Sequence, residues 1–306
     1  MRVFLAGVVA CLLVAGAASA RDDASPSPWV EANPHWVAPV EPFRVIGNVY
    51  YVGTEGLAVF LITGEEGHAL IDGGMPGYEQ MIIDNIAALG FDIKDVKYLL
   101  NTHAHFDHSG GLAALKEASG AELIASEGDL SALEGGFYLG LEDDTNYAAP
   151  SVKVDKVIKD RDPEMVAFSM IFRGSKERRQ FFDAQLTLGH SRGCTSWRLN
   201  VEEDGEKYDV LFFCSATVAA NRLVPEQYEG IVDDYRMTFE KTKEWAPDVF
   251  LSNHPEVFFM KETREKQKAG DPLAFVNRGA FQKYIAAKER AFEKSLAEQQ
   301  AEAASQ

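Results

Sequence analysis

Seven histidines occur in the 306-residue chain, and three of them fall in one six-residue stretch, His103-Ala104-His105-Phe106-Asp107-His108. In extended backbone His103 and His105 project to the same side, so two neutral imidazoles can share one metal ion. A turn into a following helix then aims Asp107 and His108 at a second, nearby position. A hard carboxylate beside several imidazoles suits Zn²⁺ better than an ion that prefers thiolates. Two further histidines have similar settings, each at the end of an apolar run passing into a turn: His190 in Leu186-Thr187-Leu188-Gly189-His190-Ser191-Arg192-Gly193, and His254 in Phe250-Leu251-Ser252-Asn253-His254-Pro255. With the cluster they make six candidate ligands, enough for two zinc ions with three protein ligands each. Three ligands leave a coordination position open, which marks a catalytic rather than a structural site. A solvated polar loop, or a structural zinc site drawn largely from cysteines, fits the pattern less well. His35 and His68 lack such a setting and read as surface or packing residues.

The elements that must position these side chains alternate along the chain. Strand-like runs at Arg44–Val52, Ala58–Thr63 and Ala69–Asp72 are separated by turn residues such as Gly47-Asn48, Gly53 and Gly64. Met81, Ile82, Ile86 and Leu89 recur at helical spacing and predict a helix over Tyr78 to Leu89. Val96–Leu100 reads as a buried strand running straight into the histidine cluster, and a helix carrying Leu112, Leu115 and Ala118 begins near Gly110. Further strands are expected near Val152–Ile158, Val166–Ile171, Phe182–Leu186, Ser196–Val201, Val210–Phe213 and Val249–Ser252, with a helix near Asp233–Trp245. Strand clusters with helices interleaved in both halves predict an α/β fold of two sheets packed face to face with helices outside. From Phe275 on, a stripe of Phe281, Tyr284, Ile285, Phe292 and Leu296 predicts a surface helix over 275–299 that frays past Gln299.

Met1-Arg2, the apolar stretch Val3 to Ala17 and Ala18-Ser19-Ala20 together read as a cleaved secretory signal peptide over residues 1–20. The expectation is therefore a periplasmic protein of one domain, 21–306, with no membrane association in its mature form. Cys11 leaves with the signal. Cys194 and Cys214 then remain in an oxidising compartment beside two strand-like runs, which favours one disulfide. Two inert thiols, or Cys214 as a metal ligand, are the alternatives. The 30 basic and 47 acidic side chains give a formal net charge of −17, which argues against nucleic acid as a partner. The 46% hydrophobic content excludes disorder.

His103-x-His105-x-Asp107-His108, with Ile71-Asp72-Gly73-Gly74 upstream and His190 and His254 downstream, resembles the metallo-β-lactamase fold. Gly189-His190-x-x-Gly193-Cys194-Thr195-Ser196-Trp197 and His254-Pro255 are similar to the third subclass of the zinc β-lactamases. The resemblance, over roughly Pro42 to Phe259, implies an αββα sandwich of two mixed sheets with a dinuclear zinc site at one edge. Carried over by residue, it implies one zinc on His103, His105 and His190 and another on Asp107, His108 and His254. It also implies hydrolysis of a β-lactam amide by a zinc-bridging hydroxide, with Asp107 orienting the nucleophile, and hence antibiotic resistance in a monomeric enzyme. Ser215 and Thr217 are its candidates for the substrate carboxylate, Phe137 and Tyr138 for an apolar lip, and Asp72 for support of the histidine loop. Many hydrolases of the fold carry a metal-bridging aspartate near Cys214-Ser215, and the first subclass a cysteine ligand; the presence of His108 and His254 fits neither. Leu188 and Arg192 replace prolines common in the family and are expected to alter loop shape only. The rival readings are another exported zinc hydrolase, acting on a lactone, thioester or phosphoester, and a zinc-binding protein without turnover.

Overall fold

The computed structural model describes residues 27–159 and 182–305. The expected signal segment and the strand expected at Val166–Ile171 lie outside the described residues. Among the described residues eleven strands form two sheets. The first takes β1 (Phe43–Ile46), β2 (Val49–Tyr51), β3 (Phe60–Ile62), β4 (His68–Ile71), β5 (Val96–Leu100), β6 (Glu122–Ser126) and β7 (Lys156–Ile158) in chain order. It is antiparallel from β1 to β4 and parallel from β4 to β7. The second sheet runs β11 (Val249–Ser252), β10 (Glu206–Phe213), β9 (Thr195–Glu203), β8 (Asp183–Leu186), with only β10 and β11 parallel.

Where both faces are covered, as along β3, β4 and the last four residues of β10, every residue is buried, whereas β9 alternates buried and more exposed residues from Trp197 to Glu202. Successive residues still point to opposite sides. Phe60, Ile71, Leu100, Trp197, Phe212 and Leu251 fill the space between the sheets. Leu61, Leu70 and Leu99 point outward against α2 (Glu79–Ala88) and α4 (Leu112–Ser119). Leu211, Phe213 and Phe250 point outward on the second sheet, against α6 (Ile231–Thr242) and α8 (Ala280–Ala304). Shorter helices complete the chain: α1 (Pro28–Ala32), α3 (Phe106–Ser109), α5 (Leu130–Gly135) and α7 (Met260–Lys268). No helix among the described residues is long and apolar enough to cross a membrane.

Several boundaries differ from those expected. Only Lys156–Ile158 of the run from Val152 is strand, and β6 is a central strand that was not expected. The last helix starts at Ala280 because Gly279, with φ of 80°, breaks the chain before it; Phe275 instead lies between the sheets, stacked on Phe43 at 5.7 Å. It continues to Ala304, past Gln299, whose side chain accepts hydrogen bonds from the amides of Leu223 (2.7 Å) and Val224 (3.1 Å).

The sheets are stitched together where β5 ends. Thr102 O accepts from Thr195 N at 2.8 Å, and Asn101 O accepts from Trp197 Nε1 at 3.1 Å. Beneath this seam Cys194 and Cys214 form a disulfide, and Cys214 Sγ lies 3.3 Å from Thr102 O. The bridge excludes both free thiols and Cys214 as a ligand. It closes a loop over a sequence separation of 20, so in the chain-entropy account it contributes about 3 kcal/mol. A C194A/C214A double variant should therefore unfold in denaturant with a stability lower by roughly that amount; an unchanged midpoint at an unchanged slope would show that the bridge adds nothing.

Candidate metal centre

Residues 101–109 leave β5 and turn into α3, and the amides of Asn101, Thr102 and Ala104 each have an acceptor. Asp72, at the end of parallel β4, accepts from Thr102 N at 2.7 Å and Thr102 Oγ1 at 2.7 Å. To aim its carboxylate there Asp72 adopts a φ of 64°, a costly conformation for a residue with a Cβ. Thr102 Oγ1 in turn lies 3.0 Å from His103 Nδ1, which assigns the proton to Nδ1 and leaves the Nε2 lone pair of His103 free. That Nε2 is buried and has no hydrogen-bond partner. A buried polar atom without a partner is costly, and here it points to a missing cation. Behind the loop, Gly111 packs so closely that a Cβ would lie 2.2 Å from Gly73 O.

The loop between β8 and β9 brings His190. Its Nδ1 donates to Thr217 O at 2.7 Å, so its Nε2 is likewise available. The rings of His103, His105 and His190 form a triangle with centroids 4.4, 4.5 and 4.7 Å apart. Tyr138 stacks on His105 at 4.2 Å, and its hydroxyl donates to Asn221 Oδ1 at 2.8 Å. Asn221 Nδ2 donates to His190 O at 2.9 Å, tying the two imidazole supports together.

His254, past the end of β11, completes a second group. Asp107 Oδ2 lies 3.1 Å from His108 Nε2 and 3.5 Å from His254 Nε2, and the two Nε2 atoms are 3.2 Å apart. Donors about 2.0–2.1 Å from a tetrahedral zinc ion are about 3.3 Å from one another, so this group fits the ion. In each group of three, one donor atom per residue lies within 4.8 Å of the others. The structure thus gathers all six sequence-derived candidates into one place, as two groups of three. His35 is exposed and belongs to neither group, and His68 packs against Phe91 at 5.2 Å.

Burial, reinforced by neighbouring imidazoles, pushes His103 and His105 well below the usual histidine range. Burial likewise brings His190 to about 4. Asp107 is different: burial alone would raise it, but His108 and His254 outweigh that and hold its carboxyl well below the usual range. His254 is pulled down by burial, yet its contact with Asp107 raises it overall.

Sequence reasoning missed several residues of this site. Asp129, 2% exposed, accepts from Ala104 N (3.1 Å), Ser191 Oγ (2.8 Å) and Gly193 N (3.0 Å), clamping the loop of His103 and His105 to the loop of His190. Gly193 is needed for this approach, since a Cβ there would lie 2.4 Å from Asp129 N. Burial raises Asp129 to about 6 despite those three donors. A cavity of about 760 Å³ opens over the two groups, walled by Trp29, Trp36, Tyr138 and Tyr147, with Ser215 and Thr217 in its lining. Both tryptophans come from the Pro- and Ser-containing lead, which carries no periodic signal. Phe137 does not line this cavity; it packs with the helices outside the first sheet.

Two outcomes follow from these geometries. Because a proton and a metal compete for the same lone pair, affinity falls as pH falls, first where the imidazole pKa is highest. Acidification from about pH 7 should release metal from the Asp107, His108 and His254 group before the three-histidine group, which should hold down towards about pH 4. Dialysis with metal analysis would show this as two steps; a single step refutes the ordering. Asp129→Ala should weaken the three-histidine group ten- to a hundredfold, by analogy with the loss of groups that orient metal ligands. Competition with a chromogenic chelator measures it, and two unchanged zinc equivalents would rule the clamp out.

A family model described as the metallo-beta-lactamase superfamily matches residues 52–173. The structure is similar to BJP-1, a subclass B3 metallo-beta-lactamase of Bradyrhizobium japonicum, with 46% identity, TM-score 0.80, and coverage of 87% of this chain and 97% of that one. It is also similar to the FEZ-1 metallo-beta-lactamase from Legionella gormanii, with 30% identity, TM-score 0.79, and coverage of 86% and 98%. Among curated sequences, the N-acyl homoserine lactonase AttM of Agrobacterium fabrum is 34% identical over an 82-residue alignment, with coverage of 20% of this chain. That match spans 31% of the lactonase's length.

Proposed function

The chain belongs to the metallo-β-lactamase superfamily, on its subclass B3 branch, and from that premise we propose that it hydrolyses the amide bond of β-lactam rings. One zinc ion would be held by His103, His105 and His190, and a second by Asp107, His108 and His254. The observation that carries the reading is the pair of three-donor groups at the floor of one open cavity. Bound there, zinc would supply Lewis acidity towards a substrate carbonyl and a water of lowered pKa, about 7.

The remaining work falls to side chains. Thr102 and Thr217 O fix the tautomers of His103 and His190, so both present Nε2 as neutral donors. Asp107, held ionised by His108 and His254, orients the attacking water, whose proton passes to the amide nitrogen as the ring opens. The aromatic walls at Trp29, Trp36 and Tyr147 exclude water and receive the substituents of the ring. Ser215 and Thr217 present hydroxyls to the substrate carboxylate. No serine nucleophile elbow is needed. Exported to the periplasm and acting there as a monomer, such an enzyme confers resistance to β-lactam antibiotics.

A second reading, hydrolysis of a lactone or thioester, is favoured by the short match to a lactonase. Against it, the end of β10 offers a disulfide-bonded Cys214 and Ser215 where many such hydrolases place a metal-bridging aspartate.

Zinc-loaded protein should turn over a chromogenic cephalosporin, lose that activity on full chelation and regain it with zinc. Activity that survives removal of the metal would sink the zinc reading, and turnover of acyl lactones or thioesters alone would move the assignment to the rival. His254→Ala should cut turnover by on the order of a hundredfold or more and retain one zinc, since losing even a group that only orients a ligand costs ten- to a hundredfold.

A further inference from the structure

With a net charge of −17, the protein repels an approaching carboxylate at long range. That repulsion is screened beyond about 8–10 Å at physiological salt, so capture depends on charges inside the cavity. Its lining contains two carboxylates, Asp107 and Glu256, and among lysines and arginines only Lys288. Asp107 is engaged by two imidazoles. Glu256 has a side chain 67% exposed and lies 3.8 Å from His254 Nδ1. Lys288 is half-buried on α8, one turn beyond Tyr284, with Nζ 5.3 Å from the centroid of the Tyr284 ring. It makes no ion pair with a carboxylate among the described residues.

The hydroxyls expected to receive the carboxylate are partly committed elsewhere. Ser215 Oγ accepts from Thr217 N at 3.3 Å and lies 3.2 Å from Thr217 Oγ1. Thr217 Oγ1 is also 3.2 Å from His190 Nδ1. Hydroxyls so placed add direction but no charge. The cavity therefore holds one cationic side chain with no acidic partner, carried on a flexible four-carbon stem that rests on an aromatic face.

We propose that Lys288 is a specificity-determining residue that anchors the carboxylate of the substrate and so selects anionic over neutral substrates. This rests on the β-lactam reading above and adds to it the charge that the substrate must carry.

The test compares a chromogenic cephalosporin free acid with its methyl ester, using zinc-loaded wild type, K288A, K288E and K288R. For the acid, KM should rise about tenfold in K288A and further in K288E, and K288R should restore it, with kcat within about twofold throughout. For the ester, the three variants should match wild type. Added salt should raise the wild-type KM for the acid and leave that for the ester alone. Acid and ester shifting together, or neither shifting, overturns the proposal. If wild type turns over neither compound, the β-lactam reading falls by itself. The anchor is then judged by calorimetric binding of the ring-opened cephalosporin acid: weaker binding to K288A than to wild type upholds it, and equal binding overturns it.

Discussion

The metal centre depends on the seam between the two sheets at residues 101–103. Donors drawn from both halves of the chain can meet only if β5 and β9 are held in fixed register where β5 ends, and one main-chain and one side-chain hydrogen bond do this. Thr195 N and Trp197 Nε1, both from β9, donate to the carbonyls of Thr102 and Asn101. On the other side Asp72 occupies the amide and hydroxyl of Thr102. His103 follows directly and is fully buried, so its ring inherits the rigidity of the seam. A similar stitch, from Ala58 N to Asn253 O at 2.9 Å, fixes the residue before His254.

This rigidity carries an electrostatic cost that only a cation offsets. Three buried imidazoles face one another with their lone pairs inward, and desolvation keeps all three neutral. In the second group two ring nitrogens and a carboxylate oxygen converge within 3.5 Å, where at most a proton or a metal ion can sit. Asp72 and Asp129, both buried and both raised to about 6, stand behind the ligand loops as acceptors for hydrogen bonds within them. The centre is thus built as two rings of metal-ligating atoms, and the outer acceptors hold the inner ones in place.

How much of this was legible beforehand depended on whether a residue announces itself by type or by position. Histidine is rare enough that His103, His105, His108, His190 and His254 stood out. Strands such as Phe60–Ile62 and Val249–Ser252 sit in apolar runs because both of their faces are buried. Asp129 was invisible because one acid among 47 carries no signal until the fold shows its three donors. β6 was overlooked for a related reason: Glu122–Ser126 is short, and only its parallel neighbours identify it as strand. Trp29, Trp36 and Lys288 reach the cavity from the two ends of the described chain, where no periodicity links them to the site. The C-terminal stripe was read for its packing role, which is real, while the same helix also turns Tyr284 and Lys288 towards the cavity.

The end of β10 decides what kind of centre the chain can build. A free thiolate there would offer a soft ligand, and an aspartate a bridging carboxylate; either would add negative charge beside the metals. Here the sulfur of Cys214 is spent on Cys194, and the next residue offers only a hydroxyl. The donor set is therefore five imidazoles and one carboxylate, which would leave two bound divalent ions strongly under-neutralised. Such a centre is an attractive target for anions even in an acidic protein, because burial limits screening of its charge while the surface field is screened within a Debye length. The position of Lys288 follows the same logic, extending the positive region from the floor of the cavity to its wall without adding another metal ligand.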